Sequence, residues 1–94
     1  MNAWLLSINF HLGGCRSLKE KRQRLKGIRD RYGRPANVAV CESDFQDSHQ
    51  RAQWTFIATA SSANIVEQAL TDIVRNLELS VDAELIDVHR ERLI

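Results

Sequence analysis

The chain has 94 residues, is 44% hydrophobic and 27% charged, and carries a formal net charge of +1. This is enough for one domain with a small core, burying about 60–65% of its unfolded surface, and it holds no apolar run near the ~18 residues that span a bilayer. Two cysteines and three histidines, scattered along the chain, form neither a disulfide framework nor the converging ligand set of a zinc site. The opening segment, residues 1–12, lacks a basic n-region and a small-residue cleavage site. A soluble, cytoplasmic protein without a metal or other cofactor is expected.

The charge is unevenly placed. Arg16, Lys19, Lys21, Arg22, Arg24, Lys26, Arg29, Arg31 and Arg34 are nine of the thirteen basic residues, and only Glu20 and Asp30 oppose them locally. The remaining chain is net acidic. One strongly basic element in a near-neutral protein suggests an anionic partner, of which nucleic acid is the usual one.

In chain order, residues 3–12 alternate as a strand, with Trp4, Leu6, Ile8 and Phe10 on the face to be buried. Gly13-Gly14 ends it in a turn. Ser17 and Glu20 then have capping-box spacing, predicting a helix that runs to Gly33, where a left-handed glycine cap and Pro35 stop it. Leu18, Leu25, Ile28 and Tyr32 form its apolar stripe. Lys21 falls inside that stripe, so its stem should cover the core while its amine reaches the edge. Arg22 and Arg29 flank the stripe.

Residues 37–43 read as a second strand with Val38 and Val40 buried, followed by a polar loop at 44–50. Residues 51–60 read as a third strand, with Trp54 and Phe56 inward. A helix then starts within 61–64 and ends near Leu77; Val66, Leu70, Ile73, Val74 and Leu77 make its apolar stripe. The last strand, about 82–92, should bury Ile86 and Val88. The order β-α-β-β-α-β, with right-handed crossovers, predicts one α+β domain over residues 1–94. Its architecture is ferredoxin-like: a four-stranded antiparallel sheet of order 4-1-3-2 with two helices on one face.

Parity then assigns the open face of the sheet. Leu5, Ser7, Asn9, His11, Ala39, Cys41, Ser43, Arg51, Gln53, Thr55, Ile57, Leu85, Asp87 and His89 should lie there, with no aromatic among them. Base stacking on the sheet, as in RNA recognition motifs, is therefore not expected. The apolar members could instead meet a second copy of the chain, and strand 2 is an edge that could pair into a dimer.

The basic helix is the first candidate site, with Arg16, Lys19, Lys21, Arg22, Arg24, Lys26, Arg29 and Arg51 as RNA or phosphate contacts. The alternative is a solvated face whose bases pair with acids such as Glu42, Asp44 or Glu67. A second candidate is a polar cluster of Glu42, Asp47, Gln50 and Arg51, with Asp44 and His49 beside them, which reads more readily as ion pairs and loop caps than as acid–base machinery. A phosphate-handling enzyme, with Arg16 near the glycine turn and Asn9 or Asn37 as partner, is the weakest reading. No motif of specific catalytic spacing supports it.

Three blocks carry a resemblance. Residues Ser17-Leu18-Lys19-Glu20-Lys21-Arg22, then Asn37-Val38-Ala39-Val40-Cys41-Glu42, then Asp47-x-x-Gln50-Arg51-Ala52, are similar to the YlxP-like family, domain of unknown function 503. Cys41 beside Glu42, and the loop before Asp47, depart from its pattern. The resemblance implies a ferredoxin-like fold in a bacterial cytoplasmic protein, with genes that often sit beside those for translation and ribosome maturation. It implies no catalytic residues. Together with the basic helix it points to RNA or the ribosome as partner.

Overall fold

The computed structural model describes residues 1–94. The elements are β1 (Asn2–His11), α1 (Leu18–Arg24), α2 (Ile28–Tyr32), β2 (Val38–Asp44), β3 (Arg51–Ala60), α3 (Ala63–Ser80) and β4 (Glu84–Arg92). The fold is α+β. Its four strands form one antiparallel sheet ordered β2-β3-β1-β4, the predicted strand order. Leu6, Ile8, Phe10, Ala52, Trp54, Phe56 and Ala58 share the buried face, where they meet Leu25, Ile28, Tyr32, Val66, Leu70, Ile73 and Leu77 from the helices. The Tyr32 ring stands edge-on to Phe56 at 5.8 Å and 90°.

Three helices form where two were expected. Ser17 does cap α1, its Oγ accepting from the Glu20 amide at 3.0 Å. The second half of the capping box does not form, because the Glu20 carboxylate turns to Arg24 instead, at 3.5 Å. The helix then stops at Leu25, and Gly27 adopts φ +92° before α2 begins. This left-handed residue is cheap only for glycine, and the reset lets Leu25, Ile28 and Tyr32 all reach the core. Gly33, expected in the left-handed conformation, has φ −89°. Its requirement is space: a Cβ there would stand 2.6 Å from the Arg29 carbonyl oxygen and 3.1 Å from Val40 Cγ1. Glycine at 33 thus allows α2 to lie close on β2.

The edge strands depart from the expected burial. Val38 and Val40 on β2 are half-buried. On β4 a register shift sets Leu85 opposite Phe10 and Val88 opposite Ile8, with an extra residue between. Leu85, expected on the open face, packs against the core instead. Ile86 and Val88, expected to be buried, are 44% and 45% exposed. The reason is coverage: α3 packs on β3 and β1 and leaves β4 at the margin. No helix is long and apolar enough to cross a membrane.

Candidate functional site

The predicted basic residues divide into two that are consumed by the fold and seven in the same stretch that are not. Lys21 is the clearest correction to the expected phosphate set. It is 3% exposed, and its ammonium donates to the carbonyls of Phe45 at 2.7 Å and Ser48 at 2.9 Å, with a Glu42 carboxylate oxygen at 3.9 Å. The stem covers the core as expected, but the amine turns inward to the β2–β3 loop. There Phe45 sits at φ +62°, a conformation that costs a non-glycine residue about 1–2 kcal/mol. Three contacts hold this turn: the Lys21 bond, the Asp44 carboxylate accepting the Phe45 amide at 2.7 Å, and the Ser48 amide donating to the Phe45 carbonyl at 3.0 Å.

Arg24 is the second correction. Its Nε donates to the Asp82 carbonyl and its guanidinium to the Gly13 carbonyl, both at 2.8 Å, and it forms ion pairs with Glu20 and Asp82. It ties the β1–α1 turn to the α3–β4 turn. Lys21 is thus buried and Arg24 is held by two carbonyls and two carboxylates, so neither is a free cation of the surface.

Arg16, Lys19, Arg22, Lys26, Arg29, Arg31 and Arg34 are all exposed. The three ion pairs of the molecule use only Lys21 and Arg24 as cations, so these seven have no carboxylate partner. Glu42 pairs only with buried Lys21, Asp44 caps its own loop and Glu67 pairs with nothing. Of the alternative pairings with Glu42, Asp44 and Glu67, only the one between Lys21 and Glu42 forms. Arg51 lies apart from this surface, opposite His11 on the other face of the sheet, with its guanidinium 4.0 Å from the Phe45 ring.

Glu42, Asp47, Gln50 and Arg51 do not converge. Glu42 lies on the helix side of the sheet, across from Trp54. Gln50 donates to the Cys15 carbonyl at 3.5 Å and its own carbonyl accepts the Leu12 amide at 2.8 Å. Arg51 has its amide on Ser48 Oγ at 3.2 Å, and Asp47 is exposed without a bonded partner. Lys21 joins the first sequence block to the third through the Ser48 carbonyl, and Gln50 ties the same loop to the segment before α1. No three His, Cys, Asp or Glu side chains come together. For a phosphate enzyme, Asn37 is misplaced: it donates to Thr59, at the far end of β3 from the glycine turn, about 25 Å away along the strand. Asn9 is engaged on the open face.

That face carries an arrangement which parity listed but did not connect. Asp87 accepts from Asn9 at 3.5 Å, Asn9 from Gln53 at 3.0 Å, and Gln53 from Ser43 at 2.8 Å, while Thr55 donates to Ser43 at 2.7 Å. A belt of hydrogen bonds thus crosses all four strands.

Two polar atoms on the helix side are buried without a partner, Tyr32 Oη and Trp54 Nε1. Neither was singled out from sequence, where both residues read simply as core. Trp54 lines a cavity of about 320 Å³ between α1, α2 and β2, and Tyr32 lines a groove of about 540 Å³ beside Lys26, Arg31 and Arg34. The basic surface and both cavities occupy the same side of the molecule.

A family model described as "Protein of unknown function (DUF503)" matches residues 4–90. The chain belongs to this family. Comparison with curated proteins returns no match. A solved structure titled "Structural Genomics, protein YJCS" is similar over 98% of this chain and 99% of its own length, with a TM-score of 0.59 and 8% identity. At that identity the likeness concerns the fold alone. The DUF503 match agrees with the family suggested by the three sequence blocks.

Proposed function

We propose that this DUF503 protein is a cytoplasmic RNA-binding module, associated with the ribosome or its precursors, which contacts phosphates through the α1–α2 surface. The observation that carries this is the set of seven exposed cations with no ion-pair partner. The contacting set becomes Arg16, Lys19, Arg22, Lys26 and Arg29, extended by Arg31 and Arg34, and without Lys21 and Arg24. The fold is read as ferredoxin-like with a broken first helix, consistent with its element order and strand order. Such a surface binds by phosphate neutralisation, so affinity should fall with salt at about 0.7–0.9 log units per log unit for each phosphate contacted.

The test is retention of purified protein on ribosomal subunits and on total RNA across a salt series. Wild type should be retained at low salt and released steeply. The triple variant Arg22→Glu, Lys26→Glu, Arg31→Glu should lose retention while keeping its circular dichroism spectrum, since all three side chains are exposed. Equal retention of the variant would remove this surface as the site.

A second reading attaches to the other face. Ile57 is 40% exposed on the open face, near Ala39, and the outer edge of β2 is unpaired. A homodimer built on that face or edge would leave the basic surface free. Sedimentation at increasing concentration distinguishes it, since a constant monomer mass rejects the dimer.

A further inference from the structure

Most of the free cations stand in two banks, one on each side of α2. Ile28 and Tyr32 both turn into the core. At about 100° per residue, Asp30 then points directly away from the core, and Arg29 and Arg31 project to its two sides. The cavities agree with this placement. Arg22 and Arg29 line the one between α1, α2 and β2, whereas Lys26, Arg31 and Arg34 line the groove on the opposite side, against the end of α3. Gly27 and Asp30 line both, so this segment is the rib that separates them. Arg29 is steadied in its bank by the Trp54 ring, whose centre is 5.8 Å from the guanidinium. Asp30 is exposed and its carboxylate forms no ion pair, although arginines flank it in sequence.

The same surface offers no ring to a base. Single strands are held largely through bases stacked on exposed aromatic side chains. Of the two Trp, one Tyr and three Phe in the chain, Phe10, Tyr32, Trp54 and Phe56 are buried. Trp4 is half-buried against the core, and Phe45, also half-buried, has the Arg51 guanidinium 4.0 Å from its ring. A nucleic acid seated on the cations therefore meets them with its backbone rather than its base faces.

We infer that α2 lies in the minor groove of double-stranded RNA, with the two cation banks on phosphates of the opposing strands and the Asp30 carboxylate on a 2′-hydroxyl. The A-form minor groove is wide, shallow and lined by 2′-hydroxyls, and it is recognised mostly by shape and by 2′-OH and phosphate contacts. A helical rib about 10 Å across, cationic on both flanks and with one acceptor at its crest, has that layout. The crest residue sets the choice of duplex. A carboxylate only accepts hydrogen bonds, and phosphate repels it. In the minor groove of an A·T DNA duplex it meets only acceptors, adenine N3 and thymine O2, whereas every RNA nucleotide adds a 2′-OH donor. Asp30 thus lowers affinity for DNA and supplies a contact to RNA. The inference rests on the RNA reading above and adds to it the class of RNA and the residue that selects it.

The experiment is fluorescence anisotropy with three labelled probes at one ionic strength. They are an A·U RNA duplex of about 16 base pairs, one of its strands alone, and the A·T DNA duplex of the same sequence. The RNA duplex should bind about tenfold more tightly than either of the others. A single strand that binds as tightly overturns the duplex assignment, and a DNA duplex that does so overturns the role of the 2′-hydroxyl. Asp30→Ala, at an exposed position, should keep its circular dichroism spectrum and lower the RNA-over-DNA preference by about fivefold or more. An equal gain on both duplexes means that the carboxylate only repels, and overturns the contact. Arg29→Gln and Arg31→Gln, one from each bank, should each flatten the salt dependence by about one log unit per log unit. If either variant keeps the wild-type salt dependence, the rib does not straddle the groove. Retention on ribosomal subunits and total RNA, measured in parallel, separates the two ideas. Retention with equal or better binding of the single strand defeats only the duplex inference, whereas no binding to any of these ligands defeats the RNA reading as well.

Discussion

Lys21 provides the sharpest quantitative test of how this molecule is assembled. Its ammonium is 3% exposed and donates at 2.7 and 2.9 Å to two loop carbonyls. A hydrogen bond from a charged donor contributes about 1.5–3 kcal/mol, and removing one partner of a buried charged site costs about 3–5 kcal/mol. Lys21→Met keeps the apolar stem and deletes the charge. It leaves the Phe45 and Ser48 carbonyls without this donor, in a turn where Phe45 is held at φ +62°. Because Met also avoids the cost of burying an ammonium, the net loss is set at about 3 kcal/mol. For a domain of this size that corresponds to a drop in melting temperature of roughly 12–24 °C. In urea the midpoint should fall by roughly 1–3 M, given slopes of about 1–3 kcal/mol per molar. The measurement is equilibrium unfolding by circular dichroism, with Arg22→Met as the comparison. Arg22 is adjacent and exposed, and its loss should shift stability by no more than about 0.5 kcal/mol. If Lys21→Met matches Arg22→Met, the ammonium is not a structural clasp, and Lys21 returns to the set of phosphate contacts.

Two further comparisons follow from local geometry. Gly27→Ala meets no neighbouring atom within 4 Å, yet forces alanine to φ +92°, and should cost about 1–2 kcal/mol through the backbone alone. Gly33→Ala has ordinary φ but drives a methyl toward Val40 and the Arg29 carbonyl, so about 1–3 kcal/mol is expected from crowding; both are read from urea midpoints. Leu85→Ser should destabilise more than Val88→Ser by about 1 kcal/mol, because only Leu85 packs against the core. Equal losses at 85 and 88 would place the bulge elsewhere.

The order of strands and helices read along the chain, with right-handed crossovers, was sufficient to predict the sheet order. Local periodicity survives when one face is fully covered, as in β1, β3 and α3. It failed at β4, where one extra residue in the bulge transferred Leu85 to the core side and where no helix covers Val88. It failed again at residues 25–27, since an apolar stripe with helical spacing does not reveal that Gly27 breaks the helix. Gly33 was assigned a conformational role because glycines after helices often have one, whereas the requirement here arises from Val40, which only the packing of α2 on β2 brings near.

For the candidate site, composition alone marked the basic element, since nine bases in nineteen residues is a property of the chain. Which of those bases are free is a tertiary fact. Lys21 and Arg24 are taken up by carbonyls that lie 24 to 58 residues away for Phe45, Ser48 and Asp82, and no local pattern encodes such partners. The same holds for Trp54 and Glu42. Sequence turned Trp54 inward by parity, but a donor lacking an acceptor is defined by everything around it. The sequence by itself therefore determined the order of elements, the buried parity of the central strands and the concentration of positive charge, because each follows from neighbours along the chain. The identity of the free cations and the break in the first helix were decided by long-range packing, which brings together groups that the sequence keeps apart.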